Sequence, residues 1–202
     1  MEQHWAWIWR WLHVVAGVAW IGHLWFFNFV NLNVQKDLTP EIKKVVNPPL
    51  LLRALFFFRW GAMLTYISGW FLIFIHDYMA RWGQLLQLGN ADTAGWGILL
   101  GMLFGTVMWF NVWFIIWPAQ QKVIGAMQGG PAADPAVGPR ALLASKINTY
   151  LSVPLLLGMI ASHNFPVFGG GLKGILIGTV LGLGIVWVTY KYAPKVSTKL
   201  VG

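Results

Sequence analysis

Long uncharged runs alternate with short polar segments along the chain. The runs extend from Trp11 to Gln35, Trp60 to His76, Thr93 to Gln121, Ile147 to Leu172 and Gly174 to Tyr190. A helix crossing a bilayer core needs about 20 predominantly apolar residues. The pattern therefore predicts five transmembrane helices, over about 8–33, 56–80, 94–117, 142–163 and 172–192. The fold class expected is all-α: an integral membrane helical bundle, with residues 1–202 forming a single transmembrane domain. The first run has no short apolar core followed by a small-residue cleavage site, so it is expected to be a retained helix rather than a signal peptide. Breakers punctuate the runs. Pro48 and Pro49 are expected to end the first connection, Pro118 to follow the third span and Pro194 the fifth, and the Gly/Pro-rich stretch from Gly129 to Pro139 to form a flexible loop.

Composition agrees with the pattern: 57% of residues are hydrophobic and 10% charged, against roughly 25% charged in an ordinary soluble domain. The net charge of +8 is better explained by orientation than by nucleic acid, because its distribution follows the predicted spans. Lys36, Lys43, Lys44, Arg53, Arg59, Lys122, Arg140, Lys146, Lys191, Lys195 and Lys199, 11 of the 14 basic residues, fall on one side when the spans alternate. Arg10, Arg81 and Lys173 fall on the other. The positive-inside bias then places the N-terminus outside and the C-terminus in the cytoplasm, as expected of a multi-pass protein of a bacterial inner membrane. Arg10, Arg59 and Lys146 sit just inside helix ends, where long stems can snorkel to the interface. Trp5, Trp7, Trp9 and Trp11, with Trp113 and Trp117, read as aromatic belts.

Two spans carry glycine every fourth residue: Gly97, Gly101 and Gly105 in the third, Gly174, Gly178 and Gly182 in the fifth. Such faces allow close helix approach in lipid. They are expected to pack helices, within the chain or against other membrane subunits; the alternative is a groove for a flat cofactor or a quinone. Asn28, Asn31, Asn111, Lys146, Asn148 and Thr149 gather toward the cytoplasmic half, where hydrogen bonds between helices are the first expectation and a quinone-head or substrate site the second.

Histidine is the chemistry to be explained. An ionisable side chain within a span is unfavourable by a few kcal/mol and marks function by default. His13 enters the first span from outside, while His76 and His163 end the second and fourth, which return there; the three are expected to share a depth. His23 lies about 15 Å further along the helix and about 80° around it, in a different layer. With no cysteine in the chain, a thiolate metal site, an iron–sulfur cluster and covalent c-type haem are excluded. Haem b held by axial histidines from facing helices is expected, with Gly17 and Gly69 on the same faces helping to open a slot. His13, His163 and His76 are the candidate iron ligands, and His23 a candidate for a second site. His4 precedes the apolar run and is expected to be solvated.

Three stretches, "RWLHVVAGVAWIG" (Arg10–Gly22), "NVWFIIWPAQQKV" (Asn111–Val123) and "SKINTYLSVPLLLGMIASHNFP" (Ser145–Pro166), resemble the membrane domain of the bacterial membrane-bound urate oxidase (urate hydroxylase) family. A more distant likeness links the first motif to haem proteins of the HemJ type and to copper-resistance membrane proteins. The resemblance covers His13 and His163, which become the preferred axial pair. It also covers Asn111, Pro118, Gln120, Lys146 and Asn148. It further implies a longer membrane domain followed by a C-terminal cytochrome c domain. Because these residues hold no cysteine, the acceptor is expected on another polypeptide, a periplasmic cytochrome.

The expected function is a membrane-embedded b-type haem subunit that passes electrons to or from a separate periplasmic redox partner. One alternative is an oxidase or hydroxylase of a urate-like small molecule acting with a partner cytochrome. The other is a structural subunit of a larger membrane complex.

Overall fold

The computed structural model describes residues 2–75, 93–164 and 171–196, and these are helical apart from 38–39, 128–136 and 196. Helix α1 (Glu2–Trp25) runs through a π-helical segment (Phe26–Asn31) into α2 (Leu32–Asp37). Helix α3 (Pro40–Ile75) forms the second rod. Helix α4 (Thr93–Phe110) continues through another π-helical segment (Asn111–Ile116) into α5 (Trp117–Met127). Helix α6 (Val137–Asn164) and α7 (Gly171–Tyr192), which ends in a 3-10 turn (Ala193–Lys195), complete the bundle. Five of the resulting rods are long and apolar enough to cross a membrane: Trp5–Asp37, Pro40–Phe74, Trp96–Met127, Val137–Ile160 and Gly171–Lys195. Helix is the form an apolar chain must take in lipid, because each backbone group finds its partner within its own segment.

The rods outrun the lengths expected from the uncharged runs. Helix α3 has 36 residues, about 54 Å at 1.5 Å per residue against a hydrocarbon core of about 30 Å. Its first turns therefore extend past the hydrocarbon and carry Lys43 and Lys44. Pro48 and Pro49, expected to end a connection, lie inside this helix. Each proline forfeits one backbone hydrogen bond. The turn is held instead by a reciprocal amide pair: Gln35 Nε2 donates to Asn47 Oδ1 at 2.8 Å, and Asn47 Nδ2 donates to Gln35 Oε1 at 2.9 Å. Pro118 does not stop the third rod either. It stands in the first turn of α5 directly after the π-helical segment.

Packing is organised as a pair and a trio of rods. Helix α1 lies along α3, with Gly61 at the closest approach: a Cβ added there would sit 3.0 Å from the Trp20 backbone nitrogen and 3.2 Å from the Ala16 oxygen. Helix α6 is covered by α4 on one side and α7 on another. Gly97 and Gly158 face each other so closely that a Cβ on either would come within 2.8 Å or 2.7 Å of the other's carbonyl oxygen. Gly101 faces Met159, Gly105 faces Leu155, Gly178 faces Leu157, and Gly182 faces Pro154 at 3.1 Å. These glycine faces are filled by the chain's own α6. Trp20, Leu24, Phe58, Met108, Val112 and Ile124 form the buried core between the pair and the trio, while Val18, Leu103, Leu143 and Val180 project outward, as lipid-facing residues do.

Candidate functional site

Most polar groups in the half of the bundle that holds the asparagines, the inner layer, bond one another. Asn148 is fully buried; its Nδ2 donates to the Met108 carbonyl at 2.9 Å and its Oδ1 accepts from Asn111 Nδ2 at 2.7 Å. Asn28 donates to the Leu24 carbonyl at 2.9 Å and to Ser145 Oγ at 2.8 Å, and accepts from the Tyr190 hydroxyl at 2.9 Å. Trp25 Nε1 donates to Ser152 Oγ at 2.9 Å. Four rods are thereby tied together, and both π-helical segments lie in this layer, one containing Asn28 and the other beginning at Asn111. The wider π turn brings each amide inward toward α6. Lys146 is exposed and takes no part. Below this layer a cavity of about 150 Å³ is bordered by Asn28, Asn31, Gln35, Gln120 and Ser145. Gln120 and the Nδ2 of Asn31 make no hydrogen bond among the described residues, so amide donors and an acceptor face it.

The histidines present a different chemistry. His13 lies between α1 and α3, with Nδ1 3.1 Å from Ser68 Oγ. The Ser68 hydroxyl donates to the Leu64 carbonyl at 2.6 Å. With its single proton engaged on backbone carbonyls, Ser68 Oγ accepts and His13 Nδ1 donates, and the Thr65 carbonyl is a further acceptor for the ring. Gly69 makes room for the imidazole itself, since a Cβ there would lie 3.2 Å from His13 Cε1. Gly17 faces Thr65 at ordinary contact distance, 3.9 Å. The two expected slot-forming glycines thus line the α1–α3 contact on which His13 rests.

Register fixes the level of His13. Along α3 it meets Ser68 and Gly69, seven residues or about two turns short of Ile75, the last residue of that helix as described. His76 lies outside the described residues. Along α6, the Trp25–Ser152 and Asn28–Ser145 bonds set an antiparallel count. Twelve residues back from Trp25 is 13 and twelve on from Ser152 is 164; fifteen from the second pair gives 13 and 160. The level of His13 corresponds to the last turns of α6, which contain His163; that side chain, like that of His4, lies outside the described residues.

His23 points elsewhere. Its Nδ1 donates to the Ala19 carbonyl at 2.7 Å, and its ring stacks on Phe57 with centroids 5.9 Å apart and planes 17° apart. Among the described residues, no three His, Cys, Asp or Glu side chains gather as a cluster for a bare metal ion. Arg59, expected to snorkel, is caged by tryptophan: its guanidinium carbon lies 3.9 Å from the Trp117 ring centroid, 5.4 Å from Trp113 and 5.7 Å from Trp60. Trp113 and Trp117 therefore serve this cation–π contact, whereas Trp5, Trp7 and Trp11 are exposed and Trp9 stacks on Phe71 at 4.2 Å.

The part of the inner layer built from α4 and α6, with the π turn that begins at Asn111, falls within a family match: residues 87–199 fit the family model described as urate oxidase N-terminal. The chain belongs to the urate oxidase N-terminal family. The urate oxidase N-terminal match spans the third to fifth rods and contains Asn111, Pro118, Lys146, Asn148 and His163. The first two rods, with His13 and His23, precede it. No curated protein and no solved structure matches the chain. Ser68 and Thr65 were not singled out from the sequence; the short string from Tyr66 to Trp70, with Ser68 beside Gly69, is the local sign that a side chain from another helix rests there.

Proposed function

We propose that this urate-oxidase-related membrane protein is a b-type haem electron-transfer subunit of a bacterial inner membrane, with its N-terminus outside and its C-terminus in the cytoplasm. In this reading it exchanges electrons with a separate periplasmic cytochrome. The observation that carries the reading is the His13 imidazole held between α1 and α3 with Nδ1 on Ser68 Oγ. A histidine that donates its other ring nitrogen to a fixed acceptor is set for iron ligation, because that bond fixes ring orientation and raises ligand basicity. The donor chemistry therefore fits haem. His13 and His163 are the residues that would hold the haem, a reading supported by the register that brings their levels together, and Ser68 is the positioning residue behind His13. When bound, haem b supplies one-electron chemistry at a potential set by ligands and burial. The chain's own contribution is to hold the imidazole still against Gly69 and to keep water from the α1–α3 contact.

The purified protein should show a six-coordinate low-spin haem spectrum. His13→Ala and His163→Ala should each lose haem, whereas His4→Ala should keep it; equal haem content in all three variants rejects the pair. Orientation is tested by Ala132→Cys in the cysteine-free background, since Gly129 has a φ of 92° that disfavours a side chain there. Labelling from the cytoplasmic side alone is expected, and labelling from outside overturns the topology.

A second reading, oxidation of a urate-like molecule with a partner cytochrome, is favoured by one observation besides the family. The Asn31 and Gln120 amides facing the inner cavity complement the alternating carbonyl and N–H edge of such a ring. A high-spin spectrum, with urate consumption abolished by Gln120→Leu, would select it.

A further inference from the structure

His23 borders a groove on the outer surface of the α1–α3 pair, together with Val45, Val46, Pro49, Leu50, Arg53, Ala54 and Phe57. Its volume is about 610 Å³, and Val45, Val46, Leu50 and Phe57 are exposed around it. An apolar mouth of this kind opens to lipid, so its occupant must dissolve there. The polar chemistry inside narrows the choice. The Ala19 carbonyl can only accept a hydrogen bond, so at 2.7 Å the His23 Nδ1 carries the proton, and in the neutral ring Nε2 can only accept. Phe57 holds the imidazole plane. Arg53 uses one N–H on the Pro49 carbonyl at 3.2 Å, and its other donors remain for oxygen acceptors.

We propose that this groove binds the reduced headgroup of a membrane quinol, with His23 Nε2 accepting a hydrogen bond from a ring hydroxyl and Arg53 donating to ring oxygens. A quinol brings both the donor that His23 requires and acceptors for Arg53. An oxidised quinone brings acceptors alone and meets the Nε2 lone pair unfavourably, and a lipid phosphodiester has the same defect. The quinol's service as electron donor rests on the haem reading above; the binding itself does not. The site also differs from the two places where the sequence suggested a quinone: α6 fills the glycine faces, and the asparagines bond one another.

The test is equilibrium binding of decylubiquinol, kept reduced, and of decylubiquinone to the full chain in phosphatidylcholine nanodiscs. One hydrogen bond gained or lost corresponds to about tenfold in affinity. The reduced form is expected to bind at least about tenfold more tightly than the oxidised form, and His23→Phe to remove that preference, with a smaller loss for Arg53→Gln. Ala54→Trp, which fills the groove and keeps His23, should also abolish binding. Haem content should stay unchanged in His23→Phe. Equal affinity for both redox forms, unchanged quinol binding in His23→Phe or Ala54→Trp, displacement by phosphatidic acid without quinol preference, or loss of haem from His23→Phe would each overturn the site. Quinol binding in a protein that shows no haem spectrum would support the groove while removing the electron-transfer reading.

Discussion

The inner asparagine layer and the histidine-bearing α1–α3 pair both place polar side chains among apolar helices, yet the side chains differ in kind. In the inner layer Asn28 and Asn148 are each engaged on both oxygen and nitrogen, Asn111 donates to Asn148, and these bonds tie rods together. On the α1–α3 pair, His13 and His23 each rest one ring nitrogen on a neighbour, Ser68 and the Ala19 carbonyl. Satisfied amides hold a bundle together; an ionisable ring fixed in orientation is where chemistry can occur. That contrast separates stability from function within one membrane domain.

Substitutions should divide along the same line. The largest effect on stability is expected where backbone meets backbone. Gly97→Val drives a side chain into the Gly158 carbonyl, and overpacking of this kind destabilises by about 3 kcal/mol or more where no flexible group can yield. Loss of a monodisperse folded peak in detergent would register it, and unaltered thermal stability would show that α4 and α6 do not cross there. Next comes Asn148→Ala. Interhelical hydrogen bonds in membranes contribute about 0.6 kcal/mol each and up to about 1.7, so losing the bonds to Asn111 and Met108 should destabilise by roughly 1–3 kcal/mol. Haem content per folded molecule should not change. A variant that keeps its stability but loses haem would move the chemistry into the inner layer. The smallest structural effect belongs to His13→Ala, which releases one bond to Ser68 and should alter stability by about 1 kcal/mol or less, while haem is lost. A collapse of the fold in His13→Ala would make that histidine part of the scaffold and erase the contrast.

The extent to which all this could be read from the sequence follows the same physics. Five spans were visible because lipid exposure forces long apolar runs, and the glycine series announced close packing because small residues four apart share a helical face. The family resemblance at Asn111–Val123 and Ser145–Pro166 lies within the matched region. Helix continuity was not visible. Proline is usually a stop signal, but at Pro48 and Pro49 the Asn47–Gln35 pair from two different helices supports the turn, and at Pro118 the rod continues directly from a π segment. The π turns at Phe26–Asn31 and Asn111–Ile116 carry neither glycine nor proline, so nothing local marks them except the asparagines they turn inward. The His13 level was also hidden. Span ends suggested that His13 would meet the close of the second helix, whereas the register of α1 on α3 brings it to Ser68. Arg59 looked like a snorkelling cation because its three tryptophan neighbours come from two different rods.

The most direct measurement is electron paramagnetic resonance of the oxidised purified protein, compared between the wild type, His13→Ala and His163→Ala. The account predicts a low-spin ferric signal of bis-histidine ligation in the wild type that is absent from both variants while the protein stays folded. A wild-type signal that persists unchanged in His13→Ala would contradict it.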